Sequence, residues 1–220
     1  MPDAATIGVM NLTSINLSAG NDIRVGQRVF RTGIHKTPVA SAQVEPLGLG
    51  DDVVVNAKHH GGPDQAVYVY SAEDYAWWSE MLGRPLAAGT FGDNLTLSGF
   101  GPGPLRIGDR YRIGPVVLEV AAPRIPCSTL AAHLGDPGFI DRFRAADRPG
   151  FYARVITPGV VAVGQAVTLE PTTGDVTVSE LFALWYERAP EPLVLMRVLA
   201  TPIAIRMRER WLALLNDQSG

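Results

Sequence analysis

Cysteine is nearly absent from this sequence: Cys127 is the single cysteine among 220 residues. One thiol excludes an internal disulfide framework, and it also excludes an iron–sulfur cluster held by this chain alone. The sequence also lacks a GxGxxG fingerprint, the usual sign of a flavin or nicotinamide site. Any chemical role of Cys127 is therefore one that a lone thiol can perform.

Basic charge and long apolar runs are also scarce. The formal net charge is -3, so the sequence predicts no dense basic surface for a phosphate backbone, and we expect no nucleic-acid partner. No uncharged run reaches the length needed to cross a bilayer, and no basic stretch precedes an apolar core near the start. We therefore expect a cytoplasmic protein with no membrane partner. Lysine is rare too, and both lysines, Lys36 and Lys58, stand next to histidines.

Glycine and proline, in contrast, are abundant, with 23 and 17 residues, and they separate short apolar segments. The spacing of these segments over residues 1–171 predicts a β-rich α+β domain built as a barrel or a sandwich. The predicted strands are IGVMNLTS, QAVYVYS, GDNLTLS, PVVLEVAA, FYARVITP and VVAVGQAVTLE.

Helical patterns interrupt and then follow this β region. Ser71 and Asp74 form a capping pattern ahead of one predicted helix, and shorter helices are predicted over 128–134 and 138–146. Residues 175–220 predict a small three-helix extension that packs on the β domain. Its helices are expected to begin at Thr177, Pro192 and Thr201. The apolar face expected for its middle helix consists of Leu193, Met196 and Ala200.

The densest polar cluster is KHHGGPDQAVYVY, residues 58–70. The paired Gly61 and Gly62 permit backbone conformations with exposed consecutive N–H groups, a geometry that binds anions. The cluster therefore indicates contact with a phosphate. The alternative is an ordinary polar turn that begins a strand.

A second cluster is FGDNL, residues 91–95. Asn94 can both donate and accept hydrogen bonds, which suits the edge of a heterocyclic ring or a phosphate. The alternative is that Asp93 and Asn94 are turn residues before a strand.

The third cluster is APRIPCSTL, residues 122–130. Two prolines hold the residues before them extended, so Cys127 follows a stiff segment and precedes a predicted helix. A helix N-terminus and the nearby Arg124 favour the thiolate, the form that ligates a soft metal or attacks an electrophile. The alternative is a buried cysteine that acts as a small apolar residue.

In this order, the segments resemble the MOSC family, named for the C-terminal domain of molybdenum cofactor sulfurases, and within it the bacterial YiiM subgroup. The resemblance rests on Lys36 followed by Thr37-Pro38, and on GLGDDVV, HHGGPDQAVYVYSAEDYAWW, FGDNL, PRIPC and GFYARVI. It implies a MOSC-type β-barrel over residues 1–171, with peripheral helices and a C-terminal three-helix unit over 175–220. Related sequences usually carry Glu at the position of Asp93. Asp51 and Asp52 are interpreted as turn residues.

What the resemblance implies is a molybdenum cofactor, molybdopterin with its metal, with Cys127 as the molybdenum ligand. The residues that fall in matching motifs are expected to contact the pterin, its phosphate or the catalytic pocket: Lys36, His60, Gly61, Gly62, Asn94, Arg124 and Arg154. His60 is the first candidate for proton delivery, and His59 is the second. Every motif lies before residue 160, so removal of 175–220 is expected to leave cofactor binding largely intact.

The resemblance also implies a molybdenum-dependent oxidoreductase that reduces N-hydroxylated compounds such as hydroxylaminopurines and amidoximes, releasing the oxygen as water. Electrons are then expected from a separate donor protein, either flavodoxin-like, ferredoxin-like or a reductase. One alternative is a non-catalytic carrier of the molybdenum cofactor or of sulfur. The other is a zinc hydrolase that uses His59 or His60 with Cys127 and His133.

Overall fold

The computed structural model describes residues 9–53, 55, 61–99 and 104–217. The strands in these residues are β1 (Met10–Leu17), β2 (Asn21–Val25), β3 (Arg28–Thr32), β4 (Thr37–Val39), β5 (Ser41–Glu45), β6 (Gly48–Leu49), β7 (Val67–Ser71), β8 (Leu95–Ser98), β9 (Arg110–Ile113), β10 (Val116–Ala122), β11 (Phe151–Thr157), β12 (Gly159–Ala162) and β13 (Ala166–Glu170). The helices are α1 (Ala72–Leu82), α2 (Ser128–Leu134), α3 (Phe139–Ala146), α4 (Val178–Trp185), α5 (Pro192–Leu199) and α6 (Ile205–Asp217).

Seven of these strands form a closed β-barrel, in the order β13-β9-β10-β11-β7-β8-β1, and β1 returns to β13 through Met10 opposite Val167. All neighbouring pairs are antiparallel except β7 and β8, which are parallel. A parallel pair needs a crossover connection, and α1 supplies it. The predicted β-barrel is confirmed.

Helix α1 begins as the capping pattern predicts, because the Ser71 hydroxyl accepts the Asp74 N–H. Its aromatic stripe packs into the core, where Trp78 lies against Phe139 and Phe143 of α3. The predicted helices over 128–134 and 138–146 correspond to α2 and α3. Helices α2 and α3 are therefore peripheral helices whose apolar residues are buried in the core.

The C-terminal three-helix unit is present, but two of its predicted details are wrong. Helix α6 begins at Ile205 rather than at Thr201. In α5 the buried residues are Leu195 and Val198, whereas Leu193 and Met196 of the expected face are exposed. The same apolar segment supports two helical phases, and packing into the hydrophobic core selects the other one.

Two small sheets lie outside the barrel: the hairpin of β2 and β3, and the sheet of β12, β5 and β6. The sequence patterns missed β2, β3, β4, β5, β6 and β9, most of which are short or largely exposed. None of the helices in the described ranges is long and apolar enough to cross a membrane.

Candidate functional site

Several of the candidate residues lie together around one cleft, which holds about 810 Å³ of empty space including its open mouth. Most of the lining comes from residues within or beside β3, β4, β7, β8, β10 and β11. The candidates that line it are Lys36, Gly61, Asn94, Arg124 and Cys127. Segments far apart in the sequence thus meet at one place.

Lys36 forms a buried ion pair at this cleft. Its Nζ lies 2.6 Å from Asp52 Oδ2, and the two side chains are only 6% and 5% exposed. Burial lowers the pKa of Lys36, and the Asp52 carboxylate opposes that shift. Lys36 is therefore held by a specific partner instead of extending into solvent.

The same carboxylate orients Asn94. The side-chain amide of Asn94 donates to Asp52 Oδ2 at 2.8 Å, and its Oδ1 accepts the Tyr68 N–H at 3.1 Å. Asp52 also accepts the Ser18 N–H at 2.7 Å. Asp52 is a turn residue, as interpreted, because its N–H donates to the Leu49 carbonyl oxygen at 3.0 Å. Its side chain in addition organises one wall of the cleft.

Arg124 is the most deeply buried cation of the cleft, with 5% of the residue exposed. Its Nη1 donates to the Tyr152 hydroxyl at 3.2 Å, and its guanidinium carbon lies 5.0 Å from the centroid of the Tyr68 ring. Its Nε has no hydrogen-bond partner in the described part of the chain. Burial opposes the charge, but Tyr152, Tyr68 and Cys127 raise the Arg124 pKa, so the guanidinium stays charged.

Cys127 precedes α2 as its N-cap residue, with an extended backbone at φ -136° and ψ 169°. Its carbonyl oxygen accepts the N–H groups of Leu130 and Ala131. The predicted position at a helix start is thus confirmed. Cys127 therefore lies at the partially positive end of α2. Cys127 is partly exposed and lies on the cleft together with Arg124.

Gly61 and Gly62 both have positive φ, at 96° and 86°, a conformation that L-residues with side chains seldom adopt. Gly61 lines the cleft, whereas Gly62 begins the 3-10 turn Pro63–Gln65 and is not part of the lining. His59 and His60 lie outside the described residues, so their expected roles stay predictions.

Arg154 lies apart from the other candidates. It is not among the residues that line the cleft, and it pairs with Asp64 at 2.9 Å and with Glu119 at 2.8 Å. The expected cofactor contact of Arg154 stays a prediction. In the structure the side chain forms a partly buried ion-pair network with Asp64 and Glu119.

Sequence reasoning missed an apolar rim. Phe30, Val53 and Val55 line the cleft and are each more than a third exposed, and we call them the apolar lip. It also missed Tyr68 and Tyr152, whose strand segments were recognised without a role for their rings. The clustering of tyrosines around Arg124 is a tertiary feature, and no local spacing signals it.

Asp93 is not an exposed turn residue, because it is fully buried behind the cleft. Its carboxylate accepts the Tyr75 hydroxyl at 2.5 Å and the Thr96 hydroxyl at 2.7 Å. Burial raises the pKa of Asp93, and these two hydrogen bonds oppose the shift. Asp93 therefore has a structural role, as a buried acceptor of hydrogen bonds from Tyr75 and Thr96.

The lining residues fit an anionic group better than a zinc ion. Three basic side chains and one acidic side chain are found in the described lining, and Arg124 Nε is a buried donor without a partner there. Such a donor is costly to leave unpaired and is satisfied by an anionic oxygen. No cluster of three or more His, Cys, Asp or Glu that suits a metal ion occurs in the described ranges.

The structure is that of a closed β-barrel with a cationic cleft that Cys127 lines. Comparison with known proteins identifies the family. The MOSC domain model matches residues 56–168. The uncharacterized protein YflK of Bacillus subtilis is 36% identical over 160 residues, 72% of each chain. The chain belongs to the MOSC domain family.

Further relatives support the YiiM subgroup. The protein YiiM of Escherichia coli is 32% identical over 144 residues, 64% of each chain. The crystal structure of YiiM from Geobacillus stearothermophilus has a TM-score of 0.78 at 29% identity, covering 94% of this chain and 99% of that one. A protein named reductase from Gibberella moniliformis is 32% identical over 125 residues, but the match spans 22% of its length. The resemblance inferred from the motifs is confirmed.

Proposed function

We propose that this chain binds the molybdenum cofactor in the cleft and reduces N-hydroxylated compounds of the hydroxylaminopurine or amidoxime type. The observation that carries the proposal is Arg124, a buried guanidinium that lines the cleft with Cys127 and Lys36 and whose Nε has no partner among the described residues. Family membership supports the choice of cofactor, and the relative named reductase supports the reaction class.

Each residue then has a defined task. The Cys127 thiolate is the protein ligand of the metal, and Arg124 and Lys36 face the pterin and its phosphate. When bound, the cofactor supplies two-electron redox chemistry at molybdenum. Asp52 keeps the Lys36 ammonium in place, and His60 is the donor of the proton that the departing oxygen requires.

The reaction converts the N–OH group to N–H and releases one water, which consumes two electrons and two protons. We infer that the electrons come from a separate flavodoxin-like, ferredoxin-like or reductase protein, because one cysteine cannot bind a cluster. The same proposal places the protein in the cytoplasm, where such donor proteins are found.

The test compares two neighbouring variants of the full chain, made in a host that synthesises the cofactor. Cys127→Ala removes the proposed ligand, and Ser128→Ala is the matched control, because Ser128 is exposed and does not line the cleft. Metal and pterin content and reduction of benzamidoxime with a chemical reductant are measured. We expect about one molybdenum per chain and activity in the wild type and the control, and no activity in Cys127→Ala.

Three outcomes contradict the proposal, each in a distinct way. Full activity of Cys127→Ala removes the ligand assignment. Bound molybdenum without reduction of any N-hydroxylated compound favours the cofactor carrier. Stoichiometric zinc without molybdenum favours the hydrolase.

A further inference from the structure

The start of α6 touches the segment that carries the paired glycines. The Ile205 N–H donates to Asp64 Oδ2 at 2.8 Å, and Arg206 Nη1 donates to Gln65 Oε1 at 2.5 Å. Gln65 lines the cleft, as does Gly61. The C-terminal helix is thus bonded directly to one wall of the candidate site.

The residue before these two contacts the end of β10. The Ala204 N–H donates to the Ala121 carbonyl oxygen at 2.9 Å. Ala121 is the penultimate residue of β10, and the chain continues from this strand to Arg124 and Cys127. Consecutive residues 204–206 therefore join the two segments that carry the proposed anion-binding and metal-binding groups.

Asp64 is the centre of this junction. One carboxylate oxygen accepts the first N–H of α6, where the aligned peptide dipoles favour negative charge. The other oxygen accepts Arg154 Nε at 2.9 Å, and Arg154 also pairs with Glu119 on β10. Both oxygens are engaged by groups on different elements, so the side chain cannot rotate without losing a charge-assisted hydrogen bond.

The glycine segment needs such an anchor. Gly61 and Gly62 have positive φ and cost more chain entropy to order than other residues. The Gln65 N–H closes the short turn by donating to the Gly62 carbonyl oxygen at 3.1 Å. Among the described residues, this is the hydrogen bond seen within the segment, so we infer that the position of this wall depends on what holds Asp64 and Gln65.

We propose that Asp64 is a positioning residue, and that α6 acts through Asp64 and Gln65 to hold residues 61–65 in the conformation that binds the cofactor. The inference rests on the proposed function for its ligand. It runs against the expectation from sequence that removal of residues 175–220 leaves cofactor binding largely intact.

The experiment uses the full chain and two arginines of the same helix. Asp64→Ala and Arg206→Ala break the junction, and Arg210→Ala is the matched control, because Arg210 stacks on Trp185 at 4.4 Å. Backbone hydrogen exchange of residues 61–68 is measured by mass spectrometry, with β9 as the internal reference. Molybdenum content is measured on the same preparations, and global unfolding is followed in denaturant.

We expect exchange over residues 61–68 to accelerate roughly tenfold or more in both junction variants, as the loss of a charge-assisted hydrogen bond implies. Exchange in β9 and in Arg210→Ala should not change. Molybdenum content should fall in the two junction variants and persist in the control.

Two results overturn the inference. Unchanged local exchange in both junction variants shows that α6 does not hold the segment. Accelerated exchange with wild-type molybdenum content shows that the held conformation does not matter for the cofactor. A wild type that never acquires molybdenum refutes the proposed function instead, and the exchange data then decide whether α6 holds residues 61–65.

Discussion

The Lys36 ammonium lies 2.6 Å from Asp52 Oδ2 in a site almost closed to water. Removal of one partner from a buried ion pair leaves an uncompensated charge, which costs more than the pair itself contributes. The Asp52 carboxylate also accepts the Asn94 amide and the Ser18 N–H. One side chain therefore connects three chain segments at the cleft.

The first prediction concerns Asp52→Asn, which removes the charge and keeps the shape. We expect the free energy of unfolding in urea to fall by about 3–5 kcal/mol at neutral pH. Burial already lowers the pKa of Lys36 below its ordinary value of 10.5, and loss of Asp52 lowers it further. Asp51→Asn is the matched control, because Asp51 is exposed.

The pH dependence of Asp52→Asn has a defined sign. Between the lowered pKa of Lys36 and 10.5, the unfolded chain binds a proton that the folded chain has released. Stability therefore rises with pH across this window. Lys36 of the wild type, whose pKa is lowered less, releases its proton at higher pH, so the deficit against wild type should shrink as the pH rises between the two Lys36 pKa values. A deficit that is constant over this range would show that Lys36 is not the source of the cost.

The second prediction concerns Tyr75→Phe. The Tyr75 hydroxyl donates to Asp93 Oδ1 at 2.5 Å and accepts the Phe91 N–H at 2.9 Å. Its loss removes one hydrogen bond from the Asp93 carboxylate, which keeps the Thr96 hydroxyl, and takes this acceptor from the buried Phe91 N–H. We expect a loss of about 1–3 kcal/mol in the free energy of unfolding.

The same variant should respond to acid. Burial raises the pKa of Asp93, and the Tyr75 hydrogen bond opposes that shift, so the pKa rises further in Tyr75→Phe. A raised carboxyl pKa lowers stability at pH values above the ordinary value of 3.8, where the unfolded carboxyl loses its proton first. The deficit of Tyr75→Phe should thus be larger at neutral pH than in mild acid. Equal deficits at both pH values would contradict the assignment to Asp93.

Much of the barrel could be predicted because its strands alternate or are uniformly apolar between glycine and proline turns. The cleft motifs could be found because glycine pairs and a proline-flanked cysteine are unusual locally. The pairing of Asp52 with Lys36 could not, because it joins residues sixteen positions apart that each fit an ordinary polar turn. The buried face of α5 could not be predicted either, because tertiary packing decides that Leu195 and Val198 join the core, and the local pattern of α5 does not show this.

The third prediction concerns Gly33, which follows β3 and lies close to Val53 of the apolar lip. A Cβ at this position would lie 2.2 Å from the Val53 carbonyl oxygen, so Gly33→Ala must displace backbone. We expect a loss of about 1–3 kcal/mol in unfolding free energy, as for other overpacked sites. Gly26→Ala is a control for steric effects, because no atom lies within 4 Å of its Cβ, although its φ of 60° adds backbone strain. A Gly33→Ala protein as stable as wild type would show that the hairpin can move away from Val53 at no cost.

The last prediction concerns the apolar lip and rests on the proposed function. Phe30 is 39% exposed at the mouth of the cleft, and Val29, its neighbour on β3, is 55% exposed but does not line it. An exposed phenylalanine ring beside a cleft can stack on a flat substrate, an interaction of about 0.5–1.5 kcal/mol. Phe30→Ala should therefore raise KM for benzamidoxime and change it little for cyclohexanecarboxamidoxime, which is not flat, while Val29→Ala should leave both KM values unchanged. If Phe30→Ala raises the two KM values equally, the lip contributes general apolar contact and does not select planar rings.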